Sequence, residues 1–128
     1  MAEVDLAIAA LKQDIAGLSA RVQENKIKLQ RLRKAKKNIE NEQEELINHR
    51  KNIFEPELSS TSWAGKHASE HLNIRDSIAL SSNNIINQQI EEILGMIEQK
   101  INELEKENTY LMDSISVKER EITRLKNQ

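Results

Sequence analysis

The chain has 128 residues, the size of one domain, with 19 basic and 21 acidic side chains, no Cys, one Pro, three Gly and one each of Trp, Tyr and Phe. Such a composition favours helix and leaves out the aromatics that fill most globular cores. The absence of Cys excludes a disulfide scaffold and Cys-based zinc sites. Disorder is excluded by patterning, because the apolar residues recur at helical spacing instead of being scattered.

The opening stretch, MAEVDLAIAALKQDIAG, carries acids where a cleaved secretory signal carries positive charge, and its apolar run breaks at Lys12. No segment approaches the roughly 20 apolar residues of a membrane span. The expectation is synthesis in the cytosol, no cleaved signal peptide and no membrane insertion.

A first helix is predicted over about residues 3–54. Every seventh residue from Val4 forms one row: Val4, Leu11, Leu18, Asn25, Leu32, Ile39, Leu46, Ile53. Ile8, Ile15, Val22 and Leu29 form the interleaved row, and together they are the d and a positions of a heptad. The a row turns polar at Lys36, Gln43 and Arg50, so the seam narrows towards its end. Pro56 must end the helix, since it lacks a backbone donor and disfavours helix at Glu55. Residues 55–65 are read as a Pro/Ser-rich turn holding Phe54 at its edge, then Pro56, Leu58, Trp63 and Gly65.

The second helix is predicted over about 66–126. Ile90, Ile97, Leu104 and Leu111 make one heptad row, and Leu94, Ile101, Asn108, Ile115 and Ile122 the other. Before them, Leu72, Ile74, Ile78 and Leu80 fall in a different phase, and Ser81-Ser82-Asn83-Asn84 separates the two. A kink or short break is therefore expected near 81–84. Two long helices joined by a short turn fold back on each other, so residues 1–128 are read as a single all-α domain, a long antiparallel helical hairpin. Its seam is assigned to Leu11, Ile15, Leu18, Val22, Leu29, Leu32, Ile39 and Leu46 against Leu104, Leu111, Ile115 and Ile122.

The apolar surface exceeds what a two-stranded seam needs. Ile86 and Ile93 occupy g positions beside Ile90, Leu94, Ile97 and Ile101, and Ile27 and Ile47 lie off the first seam. A stripe this broad predicts a third or fourth helix, so Ile86, Ile90, Ile93, Leu94, Ile97 and Ile101 are assigned as a partner-binding face. With no partner present, the same surplus permits a homodimer, and a self-associating coiled-coil scaffold is the alternative reading of function.

Nothing in the chain reads as catalytic. There is no Gly-rich phosphate loop, nucleophile elbow or isolated carboxylate pair, so no enzyme, cofactor or metal is expected. His67 and His71 stand four apart, a spacing that can place two imidazoles on a metal. The Glu of H-E-x-x-H is missing between them, and the plainer reading is two part-exposed histidines on a polar face. Lys26 to Lys37 holds seven basic residues and no acid, but Leu29 and Leu32 keep their heptad places within it. Four acids follow at Glu40, Glu42, Glu44 and Glu45, and no aromatic interleaves. The run is read as pairing with the acidic helix that carries Glu91, Glu92, Glu98, Glu103, Glu105 and Glu107, not as a nucleic-acid surface. Asn25 and Asn108 interrupt the two seams, where a polar residue either fixes register or is merely tolerated.

The turn residues carry a resemblance. Ser62-Trp63-Ala64-Gly65 between two long helices resembles the Trp-x-Gly hairpin of WXG-type small proteins handled by type VII secretion. With the Leu/Lys-rich LQRLRKAKKNIENEQEEL, the Phe54-Glu55-Pro56-Glu57-Leu58 turn and the trailing IEEILGMIEQKINELEKE, the chain is similar to the YwqH-like proteins of Gram-positive bacteria over about residues 5–126. That resemblance implies a role beside LXG-type toxins: binding the helical N-terminal domain of such a toxin, with a second small helical protein as a further candidate partner. It also implies delivery to the secretion apparatus, with export alongside the toxin as one route. Trp63 then either caps the hairpin end or forms part of a recognition surface. The C-terminal Tyr-x-x-x-Asp/Glu signal that WXG-type substrates often carry is missing in its usual spacing, since Tyr110 is followed by Asp113 at three residues and Ser114 at four. The resemblance then leaves a partner as one source of that signal.

Overall fold

The computed structural model describes residues 2–50, 52 and 65–128, with the backbone alone for 65–68. The chain is an all-α helical hairpin. Helix α1 runs Ala2–Arg50, α2 Gly65–Asn84 and α3 Ile90–Lys126, and a π-helical turn, Ile85–Gln89, joins α2 to α3 without a gap. Phe54, Pro56, Leu58 and Trp63, and with them most of the turn assigned from sequence, lie outside the described residues; Gly65 is the first residue of α2. α1 starts with Glu3 and Asp5 in its first turn and ends with His49 and Arg50, the charge order that a helix dipole favours.

The described helices form two compact units, Met1–Lys34 with Gln99–Gln128, and Ala35–Glu98. In the first unit every heptad position is at least half-buried. Val22, Leu29, Ile101, Leu104, Leu111 and Ile122 form its core, and Val4, Ile8, Leu11, Ile15, Leu18, Leu32, Ile115 and Leu125 are half-buried around it. Asp14 pairs with Lys118 and Arg33 with Glu105, so the strands of the pair run antiparallel. Asn25 and Asn108 meet inside this core: Asn25 Nδ2 donates to Asn108 Oδ1 at 2.9 Å, and Asn108 Nδ2 donates to the carbonyl of Val22 at 3.4 Å. The two seam interruptions are therefore one mutually satisfied pair.

The second unit departs from the heptad reading. No break occurs at 81–84; α2 stays helical through Asn84, and the irregularity is the π turn immediately after it. The N–H of Ile90 bonds to the carbonyl of Ile85, five residues back, so the turn holds one residue more than an α turn. Counting back from Ile90 at heptad spacing would place Asn87, Asn83 and Leu80 on the seam. The extra residue rotates the preceding helix, so that Ile86 and Ala79 face inward in place of Asn87 and Leu80, Ser82 joins Asn83 as half-buried, and Arg75 and His71 also turn inward. The two apolar phases seen in sequence are thus joined by a wider turn within one continuous helix.

Candidate interaction surface

Within the second unit the polar residues of the a row each find a partner on the opposing helix. Lys36 Nζ donates to Glu98 at 2.8 Å. Gln43 Nε2 donates to the backbone carbonyl of Ile86 at 3.0 Å and to Glu91 at 2.9 Å. Arg50 Nη1 donates to Asn83 Oδ1 at 2.6 Å. Where the seam of the first unit is held by aliphatic packing, that of the second is a ladder of hydrogen bonds closed around Ile86, which is 3 % exposed. The hydrogen bond and charge of Glu98 raise the Lys36 ammonium above its ordinary pKa.

This polar seam leaves the aliphatic residues of α2 without a place in the core. His71, Arg75, Ala79 and Ser82 take the inward positions, with Arg75 buried. At 3.6 residues per turn, Ile74 and Ile78 stand roughly 95° and 55° to one side of that line, and Leu72 and Leu80 roughly 65° and 145° to the other. All four are exposed, Ile74 at 59 % and Leu80 at 71 %. An ordinary amphipathic helix buries its apolar stripe and shows its polar face. α2 does the reverse on two flanks.

One flank is shaped. Leu46 of α1 lies with Ile74, Ile78 and Ile85 along an open groove whose remaining lining is Asn73, Ser77, Ser81 and Ser82. Leu46, expected in the hairpin seam, is 41 % exposed here because the seam beside it belongs to Gln43 and Arg50.

Of the face assigned to a partner from sequence, Ile86 and Ile101 are buried, Ile90, Leu94 and Ile97 are half-buried, and Ile93 stays open at 47 %. Ile86 was displaced from its expected g position by the π turn. Ile27 and Ile47 are exposed, as their off-seam positions imply. The basic run does pair with the acidic helix through Arg33–Glu105 at 2.5 Å and Lys36–Glu98, and Arg21–Glu107 at 2.6 Å extends the same arrangement. Ile39 is half-buried.

His71 is half-buried, and the side chain of His67 lies outside the described residues. Among the described residues no group of three or more His, Cys, Asp or Glu side chains is placed to hold a metal ion. Among them, too, no helix is long and apolar enough to cross a membrane. Heptad counting had no means of locating the groove, because it presumes a uniform turn. The signal that points to it is the phase conflict between Ile74 and Ile78 and the rows that begin at Ile90.

The family model described as YwqH-like covers residues 7–127. Neither the curated proteins nor the solved structures contain a match.

Proposed function

The chain belongs to the YwqH-like family, and on that premise we propose that it is a small helical adaptor that binds the helical N-terminal domain of an LXG-type antibacterial toxin and targets it for type VII secretion. The observation that carries this reading is the inverted polarity of α2. Exposing Leu72, Ile74, Ile78, Leu80 and Ile85 on one helix costs stability that burial against another helix would return, at about 25 cal/mol per Å² of apolar surface. Aliphatics at helical spacing, flanked by Ser and Asn, suit a second helix better than a small ligand or an extended peptide.

Ile93, open on α3, belongs to the same proposed contact region of the second unit. The missing Tyr-x-x-x-Asp/Glu spacing at Tyr110 fits an adaptor whose partner brings the export signal. The reading assigns no catalysis to the chain. The experiment is co-expression with the N-terminal domain of an LXG toxin encoded beside it, followed by size-exclusion chromatography. Elution as one species is expected. Separate elution, with this chain forming a stable homodimer, would favour the scaffold alternative instead.

A further inference from the structure

We propose that the groove formed by Leu46, Ile74, Ile78 and Ile85 seats a single amphipathic helix of the partner protein, one whose aliphatic stripe is flanked by Lys or Arg. This rests on the adaptor reading and specifies the chemistry of the segment that is bound.

The shape comes from the groove residues. Ile74 and Ile78 stand one turn apart on α2, and Ile85 continues their line beyond Asn84. Leu46 supplies the opposite wall from α1. Ser77 and Ser81 are short, so a helix axis can approach to the 8–10 Å of ordinary helix packing without displacing a long side chain. Aliphatics spaced three and four residues apart on an incoming helix would fill the row between these walls.

Charge selects the occupant. Among the described side chains of residues 35–98 nine are acidic and four basic, whereas the rest of the chain holds ten against thirteen. Glu42 lies one turn before Leu46, hence on the same face of α1, and both Glu42 and Glu45 are exposed. Docking groove to groove with a second copy would bring two such acidic units together, because a two-fold contact joins identical patches. Like charges across an interface oppose association, and a helix flanked by basic residues gains from the same field.

The test is titration calorimetry of the full chain against the N-terminal domain of the co-encoded LXG toxin, with light scattering on the chain alone. Ile78→Glu should weaken binding at least about tenfold, and Leu80→Glu, on the other flank, less than about threefold. Both sites are exposed, so the helix content of both variants should match that of the parent by circular dichroism. Glu42→Lys should weaken binding at low salt, and rising salt should weaken the parent complex. If the parent chain binds but Ile78→Glu binds equally well, the groove assignment is overturned and the adaptor reading stands. Binding unchanged or tightened by Glu42→Lys overturns the basic helix. A homodimer of the isolated chain that Ile78→Glu dissolves would give the groove to a second copy. Absence of binding by the parent chain overturns the adaptor reading and this inference together.

Discussion

The side-chain amide of Gln43 donates to the backbone carbonyl of Ile86 at 3.0 Å, inside the π turn that carries Ile86 into the core. One glutamine on α1 therefore recognises the one place where the second helix changes phase. The contact explains why a heptad position takes Gln: an aliphatic side chain there would leave a half-buried carbonyl without this donor.

Removing the extra residue should be tolerated. Deleting Gln88 shortens the π turn to an α turn and keeps Ile86 and Ile90 on one face, since their spacing falls from four to three. Deleting Lys106, within the regular heptads of α3, instead rotates every core residue on one side of the cut. Thermal melting should show a change of a few degrees for the first deletion and collapse of the cooperative transition for the second. Equal damage from both would refute the single-residue phase shift.

Asn25 and Asn108 should behave as a unit. Either single change to Leu leaves a buried amide without its partner, at a cost of about 1–3 kcal/mol. The double change to Leu should recover most of that loss and raise the melting temperature above either single variant. A polar pair at one core level also opposes other alignments of the helices. The double variant should accordingly form mixed oligomers by light scattering where the parent does not. Additive losses in the double-mutant cycle would mean that the pair is not coupled.

Core and surface leucines should separate cleanly. Leu111, 2 % exposed, should cost about 2–5 kcal/mol on change to Ala. Leu80, at 71 % exposure, should stay within about 0.5 kcal/mol. Denaturant unfolding of the isolated chain checks both.

The end of α3 carries a pH signature. The hydrogen bond from Arg124, followed by its charge, holds the Glu121 carboxyl below its ordinary value of 4.5. A depressed folded pKa stabilises above the unfolded value, and that contribution is lost as pH falls through the folded one. Glu121→Gln should therefore lower the melting temperature slightly at pH 7 and converge with the parent near pH 2. A difference that persists unchanged at pH 2 would assign the effect to packing. Lys36 works in the opposite direction: its raised pKa makes the contribution of its pair with Glu98 full below 10.5 and lost at higher pH.

The first unit was almost wholly legible in sequence, because Val22, Leu29, Leu104 and Leu111 obey one uninterrupted period and their burial follows from it. The second unit was only half legible. Lys36, Gln43 and Arg50 showed that the apolar seam ends, but their partners depend on tertiary placement that no spacing encodes. Ile86 was assigned outward because counting from Ile90 takes each turn as equal, and one turn is not. The phase conflict at Ile74 and Ile78 is visible in sequence, where it predicts a kink or short break near 81–84. A π turn resolves the same conflict with every backbone group still in a helix. Trp63, the residue that most strongly suggested the family, lies outside the described residues, and its role stays with the resemblance.

The central claim is that the groove flank of α2, with Ile74, Ile78 and Ile85, is a binding surface. Amide hydrogen exchange of the full chain, alone and with the N-terminal domain of an LXG toxin, the proposed partner, tests it most directly. Exchange across residues 72–85 should slow by at least about tenfold on complex formation, with little change over residues 4–22. Protection confined to residues 4–34 and 99–126, with 72–85 exchanging as in the free chain, would contradict it.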